Sequence, residues 1–256
     1  MMRVVKIGGR AQAAPELARA VAAAWRENPK ALCIVHGGGD EITAMQNALG
    51  KEATFVGGRR VTSQGDLELL RMVLSGSVNK RLVNLLVAEG VPAVGISGED
   101  SALIRAESID RQTLGFAGRP KRIEPRLIHT LLDAGFLPLI SPVAYDLSSD
   151  QGGILNVNGD DAAAAIASSL RADELLFVAD VEGVQDESGR IIATIEPGFA
   201  RDLIAQGTAS GGMAAKLESA HVALAGGVKR VRISDLAGLT DMERGTSITQ
   251  AEGVLS

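Results

Sequence analysis

Short apolar runs that end in glycine alternate with helix-period segments along almost the whole chain, and this alternation constrains the fold more than any other feature. RVVKI (3–7) ends at Gly8-Gly9, ALCIVH (31–36) ends at Gly37-Gly38-Gly39, and ELLFVAD (174–180) is a third such run. Continuously apolar strands are buried on both faces, and strands separated by helices pair in parallel through crossovers. The sequence therefore predicts an α/β fold with a mostly parallel sheet and helices on both sides. VPAVGIS (91–97), FLPLIS (136–141) and VKRVRIS (228–234) add further strands.

Helical spacing fills the intervals. Segment 15–27 has Pro15 at a plausible first helical position and Leu17, Val21, Ala24 and Trp25 on one face. The longest signal, 63–90, carries a stripe of Leu67, Leu70, Leu74, Val78, Leu82 and Leu85, with Ser63 as cap and Gly90 as stop. Helices are also expected near 124–134, over the Ala-rich NGDDAAAAIASSL, and at 196–206 and 212–225. The polar stretch 102–122 reads as a hairpin or a lid over a site. No Pro/Gly/Ser-rich linker divides the chain, so residues 1–256 form one domain, with any lobe boundary near 170–180.

Composition narrows the function. Net charge is −5 and aromatic residues make up 3%, so there is neither a basic stripe nor a stacking surface for nucleic acid. No apolar run reaches membrane-spanning length. Cys33 is the only cysteine, which excludes an intrachain disulfide and fits a cytoplasmic protein. His36, His129 and His221 are scattered and give no zinc pattern. GISGED is not a nucleophile elbow, and His36 reads as a residue that pins the glycine loop.

At the carboxyl ends of parallel strands, glycine lets main-chain N–H groups approach an anion, and a helix beginning there adds its positive end. Gly8-Gly9 and Gly37-Gly38-Gly39 are so placed, although neither a P-loop nor a G-x-G-x-x-G fingerprint is present. Lys6 lies inside a strand predicted to be buried, where an ammonium needs a partner or a ligand. Lys216 follows Gly211-Gly212 by one helical turn and reads equally well as a phosphate ligand or a solvated helix lysine. Asp160 and Asp161 open the Ala-rich helix, where acidic residues simply complement the dipole; a functional Asp160 would need lysines to hold. Arg59 and Arg60 could clamp a carboxylate, and Asn156 and Asn158 could cap a turn or bind a substrate.

KIGG (6–9), HGGG (36–39), GRRVT (58–62), NVNGD (156–160) and GGMAAK (211–216), in that order, resemble the amino acid kinase family. The likeness covers nearly the whole chain and is nearest to the branch acting on N-acetyl-L-glutamate. It implies an α/β/α sandwich around a largely parallel eight-stranded sheet, with the acyl amino acid held by about 1–175 and ATP with Mg²⁺ by about 176–256. By motif, Lys6 and Lys216 would stabilise the transferring phosphoryl group, and Asp160 would orient both. Gly8, Gly9, Gly37 and Gly38 would donate N–H bonds, and Arg60 and Asn156 would hold the substrate. Asp180, Val181, Glu182, Gly183, Val184 and Gln185, with Ala209, Ser210 and Gly211, would hold the nucleotide; Mg²⁺ would ride on ATP rather than on protein side chains. The resemblance also implies a homodimer, and the start of the chain at the first strand suggests insensitivity to arginine. Gly159, where the family usually has Ala, and Ala214-Ala215 depart from the pattern. Kinases for N-succinylglutamate or aminoadipate derivatives, and a non-catalytic binding regulator, are the alternatives.

Overall fold

The computed structural model describes residues 1–150, 152–186 and 188–249. The elements run β1 (Arg3–Ile7), α1 (Leu17–Glu27), β2 (Leu32–His36), α2 (Gly39–Ala48), β3 (Phe55–Val56), β4 (Arg59–Arg60), α3 (Gln64–Arg71), α4 (Asn79–Ala88) and β5 (Ala93–Gly98). They continue as β6 (Ile104–Ser108), β7 (Ala117–Ile123), α5 (Arg126–Asp133), β8 (Leu137–Asp146), β9 (Gly153–Val157), α6 (Gly159–Ser169) and β10 (Glu174–Val178). The chain then forms β11 (Thr194–Ile195), α7 (Pro197–Ala205), α8 (Gly211–Ala225), β12 (Arg230–Ser234) and β13 (Thr246–Ile248).

β12, β10, β1, β2, β8 and β5 lie side by side, all parallel. β1, β2 and β10 are buried along their full length, as their unbroken apolar runs require. Among the described residues the whole sheet has eleven strands rather than eight. The surplus comes partly from the short edge pair β11 and β13, and partly from the way β8 continues through Pro142. Beyond Pro142 β8 pairs with β9 and β6, β6 pairs with β7, and β7 pairs with β9, so these strands close on one another. The polar stretch 102–122 is therefore a β6–β7 hairpin built into the sheet.

Side-chain alternation along β1 sorts the layers. Ile7 packs with Leu17, Val21, Leu82 and Leu86, placing α1 and α4 on one face. Lys6 points to the other face, where it meets α6; α6 packs against α8 and β1, and α8 against β12. This is the three-layer sandwich that the sequence predicts.

Ser63 caps α3: its hydroxyl accepts the Asp66 N–H at 3.2 Å, and the Asp66 carboxylate accepts the Ser63 N–H in return. Gly90, at φ +79°, ends α4. Pro15 sits in the turn ahead of α1 rather than in its first position. The predicted stripe holds through Leu82, but Leu85 is 41% exposed and Leu86 takes its place in the core. The cause is a π-helical stretch, Met72–Val78, between α3 and α4. Its wider turns favour contacts every four or more residues, so the buried line continues as Leu70, Leu74, Val78, Leu82, Leu86.

Candidate active site

Three charged groups meet where the glycine turns leave the sheet. Lys6, fourth residue of β1, sends its Nζ to Asp160 Oδ1 at 2.8 Å, and Lys216 Nζ from α8 lies 3.4 Å from Asp160 Oδ2. The side chains of Lys6, Asp160 and Lys216 are all at least 85% buried. Asn158 caps α6 by accepting the Asp160 N–H at 2.7 Å, which fixes the backbone that aims this carboxylate. Burial pushes the Asp160 carboxyl up, but the two ammonium groups outweigh that and hold it below the usual carboxylate range. Burial lowers Lys216, with Asp160 opposing and Lys6 adding to the shift. Two buried cations share the one carboxylate of Asp160, an arrangement that an anionic ligand would complete.

The glycines shape this centre. A Cβ on Gly8 would fall 2.1 Å from Lys6 Nζ, so the lysine can fold over the turn only because that atom is absent. Gly9, at φ +55°, opens a short 3₁₀ turn whose Ala11 N–H is accepted by Asp180 at 3.1 Å. A Cβ on Gly159 would lie 3.2 Å from Lys6 Cε, so the one departure from the family pattern here gives the lysine stem room.

Beside the centre is a cavity of about 160 Å³ lined by Gly37, Gly38 and Gly39, by Phe55, Arg59 and Arg60 of the β3–β4 hairpin, and by Asn156 to Gly159. Ile42, Leu74, Pro142 and Val157 make part of its wall apolar. Arg60 donates to Gln46 Oε1, Gly39 O and Thr43 Oγ1, stacks over Phe55 at 4.7 Å, and has its pKa lowered chiefly by burial. Asn156 donates to Thr62 Oγ1 at 3.0 Å. The structure thus brings Gly37, Gly38, Arg60 and Asn156 to one cavity, with Lys6, Asp160 and Lys216 next to it.

Of the remaining predicted residues, Asp180 and the start of α8 adjoin the centre, and the contacts of the others run to neighbouring segments. Asp180 joins the Gly9 turn, and Lys216 feels its charge. Val181 is exposed, Glu182 pairs with Arg244 at 3.5 Å, and Gln185 bridges to Ile191. Gly183 and Val184 are tied to Thr246: a Cβ on Gly183 would meet its hydroxyl at 2.7 Å, and that hydroxyl accepts the Val184 N–H. Ala209 is buried, Ser210 precedes α8 without capping it through its side chain, and Gly211 starts the helix. The first turn of α8 therefore presents main-chain N–H groups one turn before Lys216, which suits a phosphate.

Sequence reading passed over two partnerships. Asp161 takes Arg59 Nη1 at 2.7 Å and the Ser219 hydroxyl at 3.0 Å, linking the hairpin to α8. Asn79 contacts His36 from 43 residues away. Neither pairing leaves a local signal.

The amino acid kinase family model matches residues 1–235. An acetylglutamate kinase of Chlorobaculum tepidum is 46% identical over 203 residues, 79% of this chain and 70% of that protein. One from Methanopyrus kandleri is 38% identical over 257 residues, 96% of this chain and 100% of that protein. The crystal structure of smu.665 from Streptococcus mutans UA159 superposes with a TM-score of 0.86 at 30% identity, covering 98% of this chain and 99% of that one. With the glycine turns, the paired lysines and the match over most of its length, the chain belongs to the amino acid kinase family.

Proposed function

We infer that this chain transfers the γ-phosphoryl group of ATP to the γ-carboxylate of N-acetyl-L-glutamate, giving N-acetyl-L-glutamyl 5-phosphate in arginine biosynthesis. One observation carries the reading: Asp160 holds two buried lysines beside a cavity built from the HGGG, GRRVT and NVNGD segments.

A γ-carboxylate is already ionised at pH 7, so attack on phosphorus requires no general base. The protein has to align the two substrates and neutralise charge on the equatorial phosphoryl oxygens. Lys6 and Lys216 supply the charge, and Asp160 keeps both in register. The main-chain N–H groups of Gly8, Gly9 and Gly38 donate to oxygens, whereas the Gly37 N–H, expected from the sequence to do the same, is taken by Ile7 O at 2.9 Å. Arg60 and Asn156 hold the α-carboxylate and neighbouring polar groups of the acyl amino acid. Residues 180–185 and 209–211 hold the nucleotide. Mg²⁺, when bound, adds positive charge at the nucleotide's phosphates.

The cavity lining falls wholly within 37–159, whereas Lys216 and the 180–185 loop come later. This supports an N-terminal lobe to about residue 175 for the acyl amino acid and a C-terminal lobe for ATP. A cytoplasmic homodimer completes the reading; light scattering in solution tests the dimer. Among the described residues no helix is long and apolar enough to cross a membrane.

The direct test incubates purified protein with Mg·ATP and hydroxylamine, which traps acyl phosphate as hydroxamate. N-acetyl-L-glutamate, its N-succinyl analogue and N-acetyl-aminoadipate run in parallel. Turnover with acetylglutamate is expected. Product only with a rival moves the substrate, and none with any substrate overturns the reading.

A further inference from the structure

We propose that Asn79 and His36 form a positioning relay that fixes the Gly37–Gly38 peptide with its N–H turned toward the transferring phosphoryl group. The proposal rests on the kinase reading above.

His36 is wholly buried, with Nδ1 2.7 Å from Gly37 O. A carbonyl oxygen only accepts, so this contact requires the proton on Nδ1. Nε2 must then accept, and Asn79 Nδ2 faces it at 3.1 Å. The same Asn79 amide nitrogen also reaches Leu139 O at 3.0 Å, so its donor end is fixed toward the sheet. The second partner selects the tautomer, and the tautomer selects the direction of the bond to Gly37. Burial, the largest influence on His36, lowers its pKa to about 4, so the ring is neutral at physiological pH.

The consequence for the glycine loop follows from peptide geometry. In a trans peptide the carbonyl and the next N–H point in opposite directions. With the Gly37 carbonyl drawn back to His36, the Gly38 N–H is turned the other way, and Gly38 lines the cavity. Gly37 spends its own N–H on Ile7 O at 2.9 Å. The Gly38 N–H has no acceptor among the described residues. With the Gly39 N–H at the start of α2, it is a donor of this loop left available for a ligand. Gly95 is part of the same construction: a Cβ there would fall 1.9 Å from Asn79 Oδ1. A donor held in place before the reaction stabilises charge that develops during it, so losing the relay should lower kcat and leave KM nearly unchanged.

Two isosteres separate positioning from mere packing. An asparagine amide nitrogen overlays imidazole Nδ1, whereas a glutamine amide nitrogen overlays Nε2. H36N keeps the donor to Gly37 and should stay within about tenfold of the wild-type kcat. H36Q loses it and should fall about 100-fold or more, with KM for both substrates within about twofold. N79D cannot donate to Nε2, so it should move the proton there and cause a similar fall. Ring ¹⁵N shifts of His36 should show the Nδ1–H tautomer in wild type and the Nε2–H tautomer in N79D, whether or not the protein is active. Equal activity of H36N and H36Q, or an Nε2–H tautomer in wild type, overturns the relay. Absence of acyl phosphate with wild type counts against the kinase reading instead, and the ¹⁵N shifts still decide the relay's geometry.

Discussion

Lys6 Nζ and Asp160 Oδ1 lie 2.8 Å apart although one comes from the first strand and the other from a helix more than 150 residues later. Removing the lysine leaves Asp160 paired with Lys216 alone, at 3.4 Å, so the site keeps its fold but loses half its positive charge. Lys6→Ala is expected to lower kcat by about 100- to 1,000-fold, with a much smaller change in KM for the acyl amino acid. Steady-state kinetics on a variant of unaltered circular dichroism checks this, and full activity would remove Lys6 from the chemistry.

The His36 ring gives a pH dependence with a definite sign. Its ordinary pKa is 6.5 and burial takes it to about 4 in the folded protein. Between those values the unfolded chain binds the proton and the folded chain does not, so stability falls as pH drops through that window. The total loss is about 3 kcal/mol. Urea titrations at pH 7, 5.5 and 4.5 should show this slope, and H36N should flatten it. An identical slope in the variant would assign the acid sensitivity to other groups.

Far from the site, Glu174 joins two buried arginines. Arg3 Nε donates to Oε2 at 2.8 Å and Arg232 Nε to Oε1 at 2.9 Å, while Arg232 also ties down the carbonyls of Gly238, Asp241 and Arg244. Glu174→Gln strands two buried guanidinium groups without their counter-charge, at a cost of about 3–5 kcal/mol. For a chain of this size that corresponds to a fall in Tm of roughly 6–20 °C. Because Arg3 and Glu174 begin β1 and β10, whereas the glycine turn follows the end of β1, kcat at low temperature should be nearly unchanged. Calorimetry beside low-temperature kinetics separates the two effects, and an unmoved Tm would refute the assignment.

What the sequence made legible follows from how local each cause is. A lysine inside an apolar run had to be buried with a partner, and it is. The strand–helix alternation yields the sandwich because each strand's burial is written in its own residues. Asp160 was ambiguous by itself, since an acid in a helix's first turn is explained equally well by the dipole; only the resemblance gave it a role. β7, AGRPKRI, was legible only as part of a hairpin, because its few apolar residues cannot announce that the strand also pairs with β9 within the main sheet. The exposure of Leu85 was hidden by a π-helical stretch whose register no 3.6-residue template contains. The Asn79–His36 and Arg59–Asp161 pairs are 43 and 102 residues apart in sequence, and each needed the fold to be seen.

The last of these pairs predicts how the cavity-side hairpin and the lysine centre are coupled. Arg59 belongs to the β3–β4 hairpin that borders the cavity, and Asp161 follows the residue that holds both lysines. Ser219 is one turn beyond Lys216 on α8. The Arg59–Asp161 pair is partly solvated, with side-chain exposures of 31% and 22%, so its contribution to global stability should be under about 1 kcal/mol. Its effect should appear instead in placing the hairpin, which carries Arg60 and Phe55 over the cavity. Arg59→Ala is expected to raise KM for N-acetyl-L-glutamate several-fold, with kcat and KM for ATP within about twofold and Tm nearly unchanged. Asp161→Asn should weaken binding in the same direction, and the double variant should be no worse than the poorer single one. Fully additive losses in that cycle would mean that the two residues act separately and that the hairpin is positioned by other contacts.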